Sequence, residues 1–546
     1  MKKNTIYLLT FILIVLTACK TQKEQVDLIV HNAKIYTVND SMQIVESFAI
    51  KDGEFIAVGS NDEIMKKYNS EKIIDLKGKI VFPGFYDAHC HFDGYGMFLQ
   101  NANLVNTTSF EEILDILIKH NKKCKPKWIV GRGWDQNDWE IKEFPDKKEL
   151  DSIFPDTPVL LTRIDGHAVL VNSEAIKRAN LDFDKYSKNE IIFKNSEFTG
   201  ILLENAADYM KSKVPEANLS QKKRALLDAQ KDCFAVGLTS IVDAGLSKDW
   251  IDLIDSLNKS GELKIRIYAM LLPTDENIEK MKEGKYKSDY LNVRSMKLFS
   301  DGALGSRGAC LMEPYTDDTA NYGIITESYD YYLEKCKLAY KLGFQVNTHA
   351  IGDSAVRMML DIYASVLKGK NDLRWRIEHS QVVNQNDFHL YGDYSIIPSI
   401  QTTHATSDMY WAETRLGAER VKGAYAYKKL LEQNGWLPNG SDFPIEDINP
   451  LFGFYAGVAR KDQKGFPENG FQAENALTRE QALKAMTIWA AKSCFEENEK
   501  GSIEAGKIAD FVVLENDIMI IPENELFKAK VIMTFLGGEK VFGVEN

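Results

Sequence analysis

The stretch "FPGFYDAHCHF", residues 82–92, places two of the chain's nine histidines, His89 and His91, one residue apart just after a Pro-Gly corner. The run is apolar and aromatic and opens at a turn, so it reads as a buried β-strand. In a strand, positions i and i+2 project to one face, and both imidazoles therefore enter the same space. Taken alone, such a pair is more often solvated or hydrogen-bonded than metal-binding. The other polar groups at strand ends decide between the two readings.

Seven further stretches have strand character, separated by helical sequence: "TSIVDAG" (239–245), "KIRIYAML" (264–271), "SMKLFSDG" (295–302), "FQVNTHA" (344–350), "WRIEHSQ" (375–381), "SIIPSIQ" (395–401) and "WLPNGSD" (436–442). Alternating strands and helices specify βα units with a parallel sheet, and eight units close an α/β (β/α)8 TIM barrel. The barrel is expected over 83–494. The gap after its first strand is too long for one unit, so about 93–219 must hold a large insertion on the side where loops carry function. Residues 26–82 and 495–546 are hairpin-like, with Asp-Gly and Lys-Gly corners, and neither stretch is large enough for its own core. They are expected to pair into one small β-sandwich built from both chain ends.

The N-terminus has a different character. Lys2 and Lys3 precede an apolar run too short to span a bilayer, which ends in Leu16-Thr17-Ala18-Cys19. This reads as a signal peptide over 1–18 with a bacterial lipobox, which makes Cys19 the lipidated first residue of an exported, membrane-anchored lipoprotein followed by a linker to residue 25. Lys20 weakly favours the outer membrane. Loss of Lys2 and Lys3 takes the formal charge from −12 to −14, and no basic cluster remains to neutralise phosphates, so nucleic acid is excluded as a partner. Six further cysteines show no C-x-x-C spacing and read as small buried hydrophobes. "GYG" at 94 and "GRG" at 131 do not extend to a nucleotide fingerprint.

Lys297, His349, His379 and Asp442 each fall at or near the C-terminal end of a separate expected strand, where barrel enzymes hold their catalytic groups. With His89 and His91 they come from the first, fourth, fifth, sixth and eighth strands. Four imidazoles, a carboxylate and an anionic bridge suit Zn²⁺ or a similar divalent ion.

With these residues in place, the sequence resembles the amidohydrolase superfamily, and within it amidohydrolase family 3, which includes N-substituted formamide deformylases. The resemblance is carried in order by "FPGFYDAHCHF", "GRGWDQNDW", "KLFSDGALGSRGA", "NTHAIGD", "RIEHSQ", "NGSDFPI" and "GSIEAGKIADFVVL". It implies that His89, His91 and Asp442 bind one metal, His349 and His379 a second, and a carboxylated Lys297 bridges the two. An ordinary lysine near pKa 10.4 would repel cations, but burial lowers that value and the neutral amine can add CO₂ to become an anion. Two ions about 3.5–4 Å apart would activate a shared hydroxide and polarise a carbonyl, while Asp442 moves the proton to the leaving nitrogen. The expected reaction is hydrolysis of a non-peptide carbon–nitrogen bond, of amide or N-formyl type. An ester, lactone or dipeptide-like substrate at the same metals remains an alternative, as does a ligand-capturing lipoprotein without catalysis.

Arg163 and His167, in "RIDGHAVL", resemble a family segment that reaches the substrate, and Arg307, close to Asp301, is placed to clamp a carboxylate. Loop support is the equal alternative for each. Trp134, Trp139 and Trp411 fit core packing better than pocket walls. The partners expected are a small-molecule substrate, the membrane, and a second copy of the chain in the homodimer allowed for.

Overall fold

Burial on both faces explains why the barrel strands read as unbroken apolar runs, with every residue of Phe85–Cys90 and Arg266–Leu271 buried. The computed structural model describes residues 23–136, 139–163, 166, 168–186 and 190–544. In it, β1 (Phe85–Cys90), β2 (Leu238–Leu246), β3 (Arg266–Leu271), β4 (Leu291–Phe299), β5 (Gln345–Ala350), β6 (Arg376–His379) and β7 (Ile397–Ser399) lie side by side in chain order. All are parallel, with Lys297 beside Asn347 and His349 beside Glu378.

The eighth position is an irregular extended segment and not the regular strand expected at 436–442. It bonds to β7's end through Ile400 N–H to Pro438 O (3.1 Å) and Gly440 N–H to Ile400 O (2.9 Å). It reaches β1's end through Ala88 N–H to Asn439 O (3.2 Å) and Asp442 N–H to His89 O (2.7 Å). These bonds complete the TIM barrel. The irregularity has a steric cause: a Cβ on Gly440 would stand 2.4 Å from His89 N and 2.7 Å from His89 O, so the backbones approach too closely for any other residue.

After β1 the helix Phe92–Leu99 packs against Leu219–Ala235, whose start is fixed by a capping box between Asn218 and Gln221. Between the two helices runs the insertion, a six-stranded sheet with a core of its own that holds both Trp134 and Trp139. Strands from both chain ends meet in another sheet, where Phe511–Leu514 pairs antiparallel with Ile80–Pro83. It faces a four-stranded sheet across a core that includes Phe48, Phe55, Phe511 and Phe535. Each of these fully buried rings contributes roughly 1.5–3 kcal/mol by leaving water. A buried bidentate pair, Arg266 Nε to Asp510 Oδ2 (2.6 Å) and Nη2 to Oδ1 (3.0 Å), ties β3 to that region.

Of the six cysteines after Cys19, Cys90, Cys233, Cys336 and Cys494 are buried and unpaired and Cys310 is half-buried. Cys19 lies outside the described residues, as does His167. No helix among the described residues is long and apolar enough to cross a membrane.

Candidate metal centre

The C-terminal ends of the barrel strands converge on a cavity of about 390 Å³. His89 is fully buried on β1. His91 follows the strand as the N-cap of Phe92–Leu99, with its side chain 32 % exposed. The imidazole ring centres of the two are 5.7 Å apart. His379, at the end of β6, stands 4.9 Å from His89 and 4.6 Å from His349 by the same measure. Lys297 Nζ, fully buried on β4, lies 3.4 Å from His89 Nε2 and has no carboxylate partner among the described residues. Asp442 enters from the eighth segment, with Oδ1 at 3.2 Å from His91 Nε2 and 3.5 Å from His89 Nε2. All six strand-end residues singled out in the sequence therefore share one space.

Ligand atoms of His89, His379 and Asp442 lie within 4.8 Å of one another, a group that can hold a metal ion. Its fit is tested by the atoms facing inward. His349 Nε2 and Asp442 Oδ1 are buried without a hydrogen-bond partner, which is costly unless another group at the site satisfies them.

Hydrogen bonds behind the rings fix the tautomers. His89 Nδ1 meets Glu378 Oε2 at 2.5 Å and His379 Nδ1 meets Gln401 Oε1 at 2.7 Å. An acceptor at Nδ1 holds the proton there and leaves each Nε2 lone pair facing the cavity, as a metal-ligating histidine requires. Burial, with the Lys297 charge second, lowers the pKa of His89 to about 4 and that of His349 to about 3. Burial also pushes His379 well down, so these three rings are neutral, the form that binds metal. Burial lowers Lys297 to about 8. For Asp442 burial acts upward but is outweighed, with the His91 hydrogen bond the foremost opposing cause, and the carboxyl is held below its usual range.

Two of the candidate ligands have strained backbones, His379 with φ 73° and Asp442 with φ 62°. Left-handed conformations of non-glycine residues cost on the order of 1–3 kcal/mol each and persist where their surroundings impose them. Asp87 supplies part of that constraint. Its carboxylate accepts from His89 N–H (3.0 Å), Ser441 N–H (3.1 Å) and Ser441 Oγ–H (2.6 Å), which clamps the eighth segment to β1 beside Asp442.

Four site residues were not recovered from sequence. Glu378 and Gln401 orient rings from behind, and Asp87 acts through Ser441, 354 positions away. His404 lies on the helix Thr402–Asp408, with its Nε2 at 3.7 Å from Asp442 Oδ2. The available signal for His404 was a histidine just past the seventh expected strand. Arg163 and Arg307 are not among the residues that line the cavity. Arg163 bonds Gln136 (2.9 Å) and Asp135 (2.6 Å) within the insertion, and Arg307 bonds Asp317 (2.8 Å). Asp301 accepts from three backbone N–H groups, of Cys310, Ile351 and Gly352, and stands 3.6 Å from His349 Nε2. Trp411, expected to be core, lines the cavity.

A TIM barrel with neutral imidazoles and a carboxylate gathered at the C-terminal ends of its strands defines a metal-binding hydrolase. The sequence profile of the amidohydrolase family matches residues 72–542, and the chain belongs to that family. It is 32 % identical to Protein LONG AFTER FAR-RED 3 of Arabidopsis thaliana, over 94 % of this chain and 91 % of that one. It is 24 % identical to the N-substituted formamide deformylase of Arthrobacter pascens, over 94 % and 97 %. Among solved structures, an uncharacterized metal-dependent hydrolase from Pyrococcus horikoshii OT3 superposes with a TM-score of 0.78 at 28 % identity, covering 91 % of this chain and 99 % of the other.

Proposed function

We propose that the protein hydrolyses a non-peptide carbon–nitrogen bond, of amide or N-formyl type, at the cavity floor. The observation that carries the reading is the convergence of His89, His379 and Asp442 within 4.8 Å, with Lys297 and His349 beside them. His89, His91 and Asp442 would hold one divalent ion and His349 and His379 a second, zinc being favoured by the nitrogen-rich donor set. Bound there, divalent ions would supply Lewis acidity to a substrate carbonyl and lower the pKa of water.

The chain's own residues do the rest. Asp442, ionised and at the cavity surface, accepts the proton of the attacking water and returns it to the departing nitrogen, which leaves as an amine. Glu378 and Gln401 keep the imidazole protons turned away from the reacting atoms. Lys297 as a carbamate, formed when its neutral amine adds CO₂ and releases a proton, supplies the anion that lets two cations sit together. The similarity to a formamide deformylase supports the choice of carbon–nitrogen over ester chemistry.

The test is Asp442→Asn. Turnover of an N-formyl amine should fall at least about 100-fold while bound metal, counted by mass spectrometry, is largely kept. Undiminished turnover removes Asp442 from its role. A substrate panel with fast ester and no amide hydrolysis overturns the reaction class.

A further inference from the structure

The cavity wall carries more negative charge than the candidate metal centre uses. Asp408, at the end of the helix Thr402–Asp408, and Glu446, four residues past Asp442, both line it and are both half-buried. Asp408 Oδ2 is supplied by Gln381 Nε2–H (2.9 Å) and Tyr425 O–H (2.8 Å). Asp408 Oδ1 and Glu446 Oε1 share one hydroxyl: Ser407 Oγ stands 2.6 Å from Glu446 Oε1 and 3.4 Å from Asp408 Oδ1. A hydroxyl has one proton, so it cannot serve both carboxylates, and no lysine or arginine among the described residues pairs with either of them. His404, 9 % exposed, lines the same wall with an unpartnered Nε2.

No arginine lines the cavity among the described residues, and Lys297 at its floor is the one lysine. The nearby guanidinium groups of Arg307 and Arg415 are both engaged by Asp317. A carboxylate on the substrate would therefore meet two anions and no clamp. A cation would meet both carboxylates. Phe299, Leu304, Ile351 and Trp411 supply apolar wall, enough for a short carbon chain or one ring in a cavity of this size.

We infer that the substrate is an N-acylated diamine, whose second, protonated nitrogen is held by Asp408 and Glu446 while the acyl nitrogen lies at the cavity floor. The inference rests on the hydrolytic reading for the acyl half only; the charge preference belongs to the wall and can be measured by binding.

The test compares N-formylbenzylamine with its 4-aminomethyl and 4-carboxy analogues. The cationic compound should show kcat/KM about tenfold above the neutral one, and the anionic compound should be the poorest. In parallel, isothermal titration with the matching amines, namely 1,4-bis(aminomethyl)benzene, benzylamine and 4-(aminomethyl)benzoate, should place the diamine about tenfold tighter than benzylamine. That advantage should shrink in Glu446→Gln and vanish in Asp408→Asn/Glu446→Gln. Because Glu446→Gln disturbs a single hydroxyl contact, it keeps the test open if the double variant misfolds. Equal binding of all three amines, or a diamine advantage that survives both variants, overturns the inference. Nε-formyl-lysine, cationic and anionic at once, should rank below the cationic formamide; a higher rank overturns the diamine in favour of an amino acid. Should none of the formamides be turned over, the hydrolytic reading fails and the amine binding order still decides this one.

Discussion

Replacing Glu378 with glutamine separates what that carboxylate does for the fold from what it does for metal. Glu378 is fully buried between Arg376 and His89. Its Oε2 takes Arg376 Nη2–H at 3.0 Å and the His89 Nδ1 proton at 2.5 Å, and its Oε1 makes a 2.7 Å ion-pair contact with Arg376 Nε that lacks hydrogen-bond alignment. Glutamine keeps the volume and removes the charge. Leaving one partner of a buried ion pair uncompensated costs about 3–5 kcal/mol. Arg376 retains neutral acceptors in Ala88 O, Ser399 Oγ and Ser493 Oγ, so the lower end, about 3 kcal/mol, is expected.

The amide is also a weaker acceptor for His89 and can present its NH₂ instead, which would drive the ring proton to Nε2 and block the ligand face. Loss of such a supporting carboxylate lowers metal affinity about 10–100-fold. Urea unfolding followed by circular dichroism reads the first effect, and metal retained through a graded chelator dialysis reads the second. Combining Glu378→Gln with Arg376→Met should recover much of the stability, because the buried guanidinium is gone, but not the metal, because His89 still lacks its acceptor. Wild-type metal retention by Glu378→Gln alone would falsify the tautomer argument.

Gly440→Ala forces a methyl group against the backbone of His89, so about 1–3 kcal/mol of stability and most activity should be lost together as Asp442 is displaced; unchanged kinetics would refute the close approach. Lys297→Ala should reduce bound metal towards one ion per chain and lower kcat/KM by about 100-fold or more, and an unaltered metal count would eliminate the bridging role. Gln401→Leu, which strips the acceptor from His379 Nδ1, should weaken metal about 10-fold with little effect on unfolding. We propose that Cys19 carries lipid: expressed in a bacterium, Cys19→Ala should then move from the membrane fraction to the soluble fraction, since each buried acyl CH₂ would contribute about 0.8 kcal/mol, and unaltered sedimentation with membranes would overturn the proposal.

The β periodicities, the spacing of the polar strand ends and the paired histidines at 89 and 91 are properties of neighbouring residues, and the chain alone specified them. The barrel was readable because each βα unit repeats one local pattern, and the insertion because one repeat interval was too long. Contacts between distant positions were not readable. Glu378 lies inside "RIEHSQ", yet its acceptor role depends on His89, 289 residues earlier, and that distance closes only when β6 and β1 face each other across the barrel. Asp442 needed a left-handed backbone and a glycine pressed against β1, which turned an expected strand into an irregular segment. Arg307 offered the right chemistry in the right loop, but Asp317 is nearer. Local pattern fixes which residues can reach a strand end, whereas burial and the partner on the other side fix what each of them does there.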